Sequence, residues 1–314
     1  MTKVACIGEC MIELKQAEGG LYSRGFGGDT LNTAIYLARL GVNVDYITAL
    51  GDDPISDEML AGWSGEGVGT SRVPRLKGKL PGIYMIQTDQ FGDRRFFHWR
   101  ESAAARDLMD LPETDDILDS LATCDVVYLS AITLSIYNPQ GRTKLIGALH
   151  RARKRGVRIA FDTNFRARGW PDPEAARGIF REMFAASDMV LASTEDLLSL
   201  YPGESDEQLM ARIPGNEAVL RLLRPGSIVR IEGVSREVRP EPVTAPVVDT
   251  TAAGDSFSAA YLAARLVGAE PVEAARAGHR LGGVVVCHPG AIIPRSAMPA
   301  NILPGPPSSR KGSP

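Results

Sequence analysis

Cysteine is scarce: four in 314 residues, too few for a disulfide framework at this length. Cys6 and Cys10 are three residues apart with no histidine-rich segment to complete a metal site, so free thiols in a reducing compartment are expected. Long apolar runs are also missing. None approaches the roughly 20 residues that span a bilayer. The opening MTKVACIGECMIEL is interrupted by Glu9 and Glu13 and lacks the apolar centre and cleavage site of a secretory signal, so the cytoplasm is the expected location. Neither sign of charge dominates. With 35 Lys and Arg against 38 Asp and Glu, the net charge is −3, which gives no electrostatic footprint for nucleic acid. The basic run RARKRGVR (151–158) reads as the solvated end of a helix. There is no Cys/His zinc set, no GxGxxG dinucleotide spacing and no internal repeat.

What is present is a chain with 44% hydrophobic residues and a mean hydropathy of −0.07, able to bury a sizeable core. Its length allows one large domain or two ordinary ones. Residues 3–8 read as a short apolar strand ended by glycine. Residues 30–40 place Leu31, Ala34, Ile35, Ala38 and Leu40 on one helical side, with Gly41 closing the helix. Strands are predicted at 44–50, 126–131, 157–164 and 188–193, with helices up to residue 155 and near 173–186. This alternation indicates a parallel sheet covered by helices on both faces. GIYMIQT and RRFFHWR, joined by DQFGD, interrupt the rhythm and read as a hairpin, with residues near 9–14 as a third strand. Such a hairpin suits a lid over the C-terminal sheet edge, where open α/β sheets bind ligands.

The strongest chemical signal is VVDTTAAGDSFSAAYLAARLVG (247–268). A short apolar strand is expected to meet a run of small residues that opens a helix. Ala252, Ala253 and Gly254 let the backbone approach a ligand closely, and amides at a helix N-terminus suit an anion. Asp249 and Asp255 flank this run. A carboxylate beside a phosphate is electrostatically costly unless it receives a proton from an attacking hydroxyl. Helix capping by Asp255 is the alternative reading.

DTTAAGDSF (249–257) resembles the second signature of the ribokinase-like (PfkB) carbohydrate kinases, and GGDTLNTA (27–34) resembles the first. The resemblance runs over roughly residues 3–299. Within that family, IGECMIEL (7–14), LPGIYMIQTD (80–89), HWRESAAA (98–105), FDTNFRARGW (161–170) and GAIIPRSAMP (290–299) are most similar to 2-keto-3-deoxygluconate kinases. The resemblance implies an α/β, ribokinase-like three-layer sandwich over residues 1–299, with a mainly parallel central sheet. A small β lid is expected from about 9–24 and 80–102, and 300–314 as a disordered tail. It further implies ATP-dependent phosphorylation of a small sugar acid, 2-keto-3-deoxygluconate to its 6-phosphate. ATP and Mg²⁺ are the implied cofactors, with a monovalent cation such as K⁺ as a further candidate. The implied partners are small molecules, not nucleic acid or membrane, and a homo-oligomer stays open.

Site roles follow from the same resemblance. Asp255 is the implied catalytic base, with Ala252, Ala253 and Gly254 supplying amides to the transferring phosphoryl group. Gly28 and Asp29 are expected on the sugar hydroxyls, with Gly27 and Asn32 shaping the turn and Asn32 counted among the sugar-site residues. Tyr84 is expected on the sugar from the lid. His98 stands where these kinases usually carry tyrosine, and an imidazole can also charge near neutral pH. Arg100 and Arg166 are candidates to hold the sugar carboxylate as guanidinium forks, with surface salt bridges as the alternative. On the nucleotide side the candidates are Arg221, Gly226, Gly254, His279 and Gly290, with helix packing as the alternative for His279. No metal ligand is assigned.

Two positions depart from the family pattern. Leu197 falls where a magnesium-organising glutamate is usual, with Glu195 or Asp196 as substitutes, and Leu223 falls where a phosphate-proximal glycine is usual. These departures motivate a second class of reading, a degenerate kinase that senses sugar. A kinase of a neutral sugar such as fructose or ribose is a further alternative, opposed by Arg100 and Arg166. A nucleotide-dependent oxidoreductase lacks its fingerprint.

Overall fold

A computed structural model describes residues 2–88, 94–215 and 217–304. The turn expected at 89–93 and the chain from 305 onward lie outside the described residues.

The large sheet has eight strands. From one edge they are Asn43–Ile47, Lys3–Ile7, Val126–Ser130, Arg158–Asp162, Met189–Ser193, Glu217–Arg221, Ser227–Ile231 and Val234–Val238. The first six are mutually parallel, and Ser227–Ile231 pairs antiparallel with both of its neighbours. Successive side chains of a strand point to opposite faces, and here both faces are buried. Val126 and Tyr128 pack with the helices Asp29–Arg39, Ala253–Leu266 and Pro271–Val285. Val127 and Leu129 pack with Pro139–Lys154 and Pro173–Ala186 on the other side. This is the three-layer α/β/α sandwich. No helix among the described residues is long and apolar enough to cross a membrane. The basic run at 151–158 closes the Pro139–Lys154 helix, where cations complement the helix dipole.

The chain leaves Lys3–Ile7 in two directions. It passes first to Asn43–Ile47 on one side, then to Val126–Ser130 on the other. Such a reversal opens a crevice at the C-terminal strand ends. Over that end lies a second, four-stranded sheet in the order Tyr22–Gly27, Met11–Gln16, Ile83–Thr88 and Arg94–Trp99. Met11, Tyr84 and Ile86 form its small apolar core. The strand Tyr22–Gly27 is not apparent in the sequence, because YSRGFG lacks apolar alternation and is mostly exposed.

Two expectations change. Residues 247–249 are not a strand: Val247 and Val248 are exposed, and the Val248 amide bonds Val286 rather than a sheet neighbour. The chain also stays packed beyond 299, since Ile302 is buried and its carbonyl accepts from Arg280 Nη2 at 2.7 Å.

Candidate active site

One cavity of about 1180 Å³ runs along the C-terminal sheet edge beneath the lid. Single-ligand pockets are ~300–1,000 Å³, so this volume suits two ligands placed end to end.

The loop before the Ala253–Leu266 helix, with the start of that helix, reaches the cavity through Thr250, Thr251, Ala252, Ala253, Gly254 and Asp255. Ala252 is the helix N-cap and adopts the left-handed region at φ 59°, ψ 14°. A residue with a Cβ holds that conformation only at a cost, which places strain where the first-turn amides face the cavity. Asp255 lies in the first helical turn, and the helix has no side-chain cap. Its carboxylate instead accepts from Asn32 Nδ2 at 2.8 Å, and its carbonyl accepts from Thr33 Oγ1 at 3.3 Å. The capping alternative therefore fails. Burial, reinforced by the nearby charge of Asp29, pushes the Asp255 carboxyl up to about 8.

Asp29 begins the Asp29–Arg39 helix, and its carboxylate accepts from Asn164 Nδ2 at 2.8 Å. Burial also raises its pKa. Gly28 precedes it with an extended φ of −175°, so freedom of rotation is not the reason for glycine there. Space is: a Cβ would press into the Glu9 carbonyl oxygen and lie 3.0 Å from the Cys10 Cα. Gly28→Ala is expected to cost about 1–3 kcal/mol by overpacking and to displace Asp29. A thermal melt and the sugar KM, both worsening together, check this.

Beneath the loop is a network that the sequence did not announce. Asp162, at the end of its strand, accepts from Arg221 Nη2 at 3.0 Å and Nη1 at 3.2 Å, and from Ser258 Oγ at 2.7 Å. Arg221 Nη1 also donates to the Gly254 carbonyl at 3.1 Å. Arg221 thus lines the cavity while bracing the loop from below. A polar Asp-x-Asn at the end of an apolar strand was the available signal for Asp162 and Asn164, since strand C-termini carry ligand sites in such sheets.

The lid contributes Tyr84 and His98, directly opposite in register. Their rings stack at 5.9 Å. The Tyr84 hydroxyl donates to Glu13 and packs against Gly27. Burial lowers the His98 pKa, which favours a neutral imidazole, and its Nδ1 is buried without a hydrogen-bond partner. Arg100 lines the cavity but pairs with buried Glu9. Arg166 lines it too and bonds Asp196 Oδ1 at 3.3 Å. Both arginines thus line the cavity while bridging to buried carboxylates rather than to surface ones.

On the nucleotide side, the two departures are not obstructions. Leu197 is fully buried in the core, and the carboxylates on the cavity wall are Glu195 and Asp196. Ser193 caps that short helix through the Asp196 amide, and Thr163 Oγ1 donates to Asp196 at 2.9 Å. Leu223 is 70% exposed at the rim, on the turn joining the Glu217–Arg221 and Ser227–Ile231 strands. Gly226, at φ +136°, closes that turn, its carbonyl accepting from the Leu222 amide at 3.0 Å. His279 lines the cavity and is also packed: its Nε2 lies 2.9 Å from Ser227 Oγ, and its ring meets Phe257 edge-on at 4.9 Å. Burial drops its pKa to about 4.

Gly290 is not among the residues that line the cavity, and its amide donates to Asp249 Oδ2 at 3.0 Å. Asp249 is likewise no free carboxylate beside an anion. It accepts from the Thr251 amide at 2.9 Å and hydroxyl at 2.6 Å, pinning the loop from outside.

Among the described residues no cluster of three His, Cys, Asp or Glu side chains could cage a metal. Glu195 and Asp196, on the cavity wall, are carboxylates that could hold Mg²⁺, an ion that keeps several waters and is bound through one or two carboxylates plus substrate phosphates.

The pattern of a pfkB family carbohydrate kinase matches residues 1–298. A 2-dehydro-3-deoxygluconokinase of Dickeya dadantii (strain 3937) is 43% identical over 307 residues, covering 95% of this chain and 98% of its own length. One of Escherichia coli (strain K12) is 42% identical over 308 residues, covering 95% and 99%. An uncharacterized sugar kinase of Pyrococcus horikoshii, crystallised in complex with ATP, superposes with a TM-score of 0.77 at 25% identity, covering 92% of this chain and 93% of its own. With two matching signatures brought to one cavity under a β lid, and a family match along nearly its whole length, this chain belongs to the pfkB family of carbohydrate kinases.

Proposed function

We propose that the protein transfers the γ-phosphoryl group of ATP to the 6-hydroxyl of 2-keto-3-deoxygluconate, giving the 6-phospho sugar acid and ADP. The observation that carries this is the placement of Asp255. It is held by Asn32, faces the cavity, and adjoins the first-turn amides of a helix. In this reading the sugar lies between Asp29, Tyr84 and His98 under the lid. Its 6-hydroxyl points at Asp255. As the O6–P bond forms, the proton passes to Asp255 and the β-phosphate oxygen leaves with ADP. The amides of the loop stabilise negative charge that develops on the transferring group. Mg²⁺, when bound, neutralises phosphate charge. The apolar wall near Phe257 and Val243 accepts the adenine. K⁺ dependence and a cytoplasmic location belong to the same reading.

A coupled ADP-release assay across acidic and neutral sugars tests it. The expected result is turnover with 2-keto-3-deoxygluconate at a kcat/KM at least 100-fold above that for fructose or ribose, a ratio worth about 2.7 kcal/mol. Equal or better turnover of a neutral sugar would sink the substrate assignment. Sugar binding without any turnover would favour the sensor reading.

A further inference from the structure

The hydroxyl of Tyr84 has one proton to give, and the lid fixes where it goes. Tyr84 and Glu13 stand opposite each other in register on the parallel strands Ile83–Thr88 and Met11–Gln16. The phenol donates to the Glu13 carboxylate. An ionised carboxylate only accepts, which sets the direction of that bond. Burial, then the charge and hydrogen bond of Glu13, push the phenol pKa up, so Tyr84 keeps its proton.

The ring has little freedom to turn away. Tyr84 is 9% exposed, and its ring lies 5.9 Å from that of His98 and 6.4 Å from that of Phe96. Its hydroxyl fills the space that a Cβ on Gly27 would need. Gly27, Tyr84 and His98 line the cavity, whereas Glu13 is not among the lining residues. Glu13 therefore meets the sugar end through Tyr84 and not directly.

With its proton committed to Glu13, the Tyr84 oxygen offers a ligand only lone pairs. A sugar hydroxyl satisfies it. A keto oxygen or a carboxylate, which only accept, does not, and neither does a carbon without a hydroxyl. A buried acceptor left unmatched loses its hydration and gains nothing in return. The hydroxyls of 2-keto-3-deoxygluconate are at C4, C5 and C6, and C6 is directed at Asp255 in the reading above. C4 and C5 remain.

We propose that Glu13 is a positioning residue that holds the Tyr84 hydroxyl as an acceptor, so that the lid reads a donor hydroxyl at C4 or C5 of the sugar acid and rejects analogues that cannot donate there. This rests on the sugar-acid reading above.

The test compares 2-keto-3-deoxygluconate with its 4-deoxy-4-fluoro and 5-deoxy-5-fluoro analogues by ADP release. Fluorine is close to a hydroxyl in size and cannot donate a hydrogen bond. In the parent, one analogue should fall roughly 10- to 100-fold below the sugar acid in kcat/KM, the effect of one unmatched buried acceptor. In Tyr84→Phe that discrimination should nearly vanish, which identifies the carbon. In Glu13→Met the phenol is free to turn its proton toward the fluorine, and the discrimination should fall most of the way to that of Tyr84→Phe. Glu13→Gln, whose amide oxygen still accepts the phenol proton, should keep most of it. Glu13 is half-buried on the lid, and Glu13→Ala is the second acceptor-free variant if Glu13→Met folds poorly. Parental discrimination in the acceptor-free variant overturns the proposal. Equal loss in Glu13→Met and Glu13→Gln also overturns it, since packing and not the hydrogen bond would then be at work. A parent that phosphorylates the sugar acid and both analogues equally well overturns it while leaving the sugar-acid activity standing. A parent that turns over no sugar acid overturns both readings together.

Discussion

Asp255→Asn is expected to lower kcat by about 10²–10⁴-fold, the usual worth of a positioned general base. The side chain keeps its size, and Asn32 can still hydrogen-bond it, so sugar binding should stay near parental. The stability change should run the other way. In the fold, burial and the charge of Asp29 push the Asp255 carboxyl up to about 8, well above its unfolded range. Between those two values the native state binds more protons than the unfolded state. Stability contributed by this group is therefore present below the unfolded pKa and is lost as pH rises through the folded one. An amide removes that penalty, so Asp255→Asn should melt higher than parent at pH 8, by about 1–3 kcal/mol of added stability. The raised pKa also fixes the pH profile. A base must be ionised to work, so kcat/KM of the parent should rise about tenfold per pH unit below 8 and level off above it. Parental turnover in Asp255→Asn would remove Asp255 from the chemistry. A flat profile between pH 6 and 8 would contradict the raised pKa.

The central architecture was legible in the sequence because its signals are local. Short apolar runs such as VVYLSA, separated by helices with an apolar side, announce a parallel sheet buried on both faces. The signature residues gave the other local cue: GGDTLNTA and DTTAAGDSF place small residues at helix starts, and the structure brings both to one cavity. What stayed hidden depends on contacts across the chain. The strand Tyr22–Gly27 owes its existence to pairing with Met11–Gln16, since its own residues are mostly exposed and lack alternation. Residues 247–249 misled in the opposite sense. Val-Val-Asp has strand propensity, but no neighbouring strand offers it a ladder, and its amides bond a helix end instead.

Within the site the same division holds. Motif position identified residues such as Asp255 and Asp29, which reach the cavity from adjacent helix starts. It could not reveal that Arg100 and Arg166 are occupied, because their partners Glu9 and Asp196 lie 91 and 30 residues away. The setting of Gly290 was hidden for a similar reason. Its amide is used by Asp249, 41 residues distant, to fix the loop from outside the cavity. Leu197 misled by register. Ser193 caps the helix through the Asp196 amide, Leu197 is buried in the core, and Glu195 and Asp196 line the cavity.

Arg221→Met should be the most destabilising single change at the site, costing about 3–5 kcal/mol. Burial alone would lower the pKa of this guanidinium, but the charge and hydrogen bonds of Asp162 outweigh it and raise it, so the pair is ionised in the fold. Asp162 is 2% exposed, and Arg221 is its only ion-pair partner among the described residues. Methionine fills much of the same volume, which limits the cavity term and isolates the stranded carboxylate. At ~2–4 °C per kcal/mol for a large domain, the midpoint should fall by about 6–20 °C. Asp162→Asn in the same chain removes the stranded charge and should recover part of that loss, which a general packing defect would not allow. A functional readout separates bracing from mere stability. Arg221 holds the Gly254 carbonyl at 3.1 Å and its charge lowers the pKa of Asp255. Without it the base should titrate above 8, moving the rising limb of the kcat/KM profile to higher pH at a temperature where the variant is folded. A variant with the parental melt would show that the buried pair contributes nothing to the fold. A normal pH profile in a destabilised variant would confine Arg221 to holding the loop.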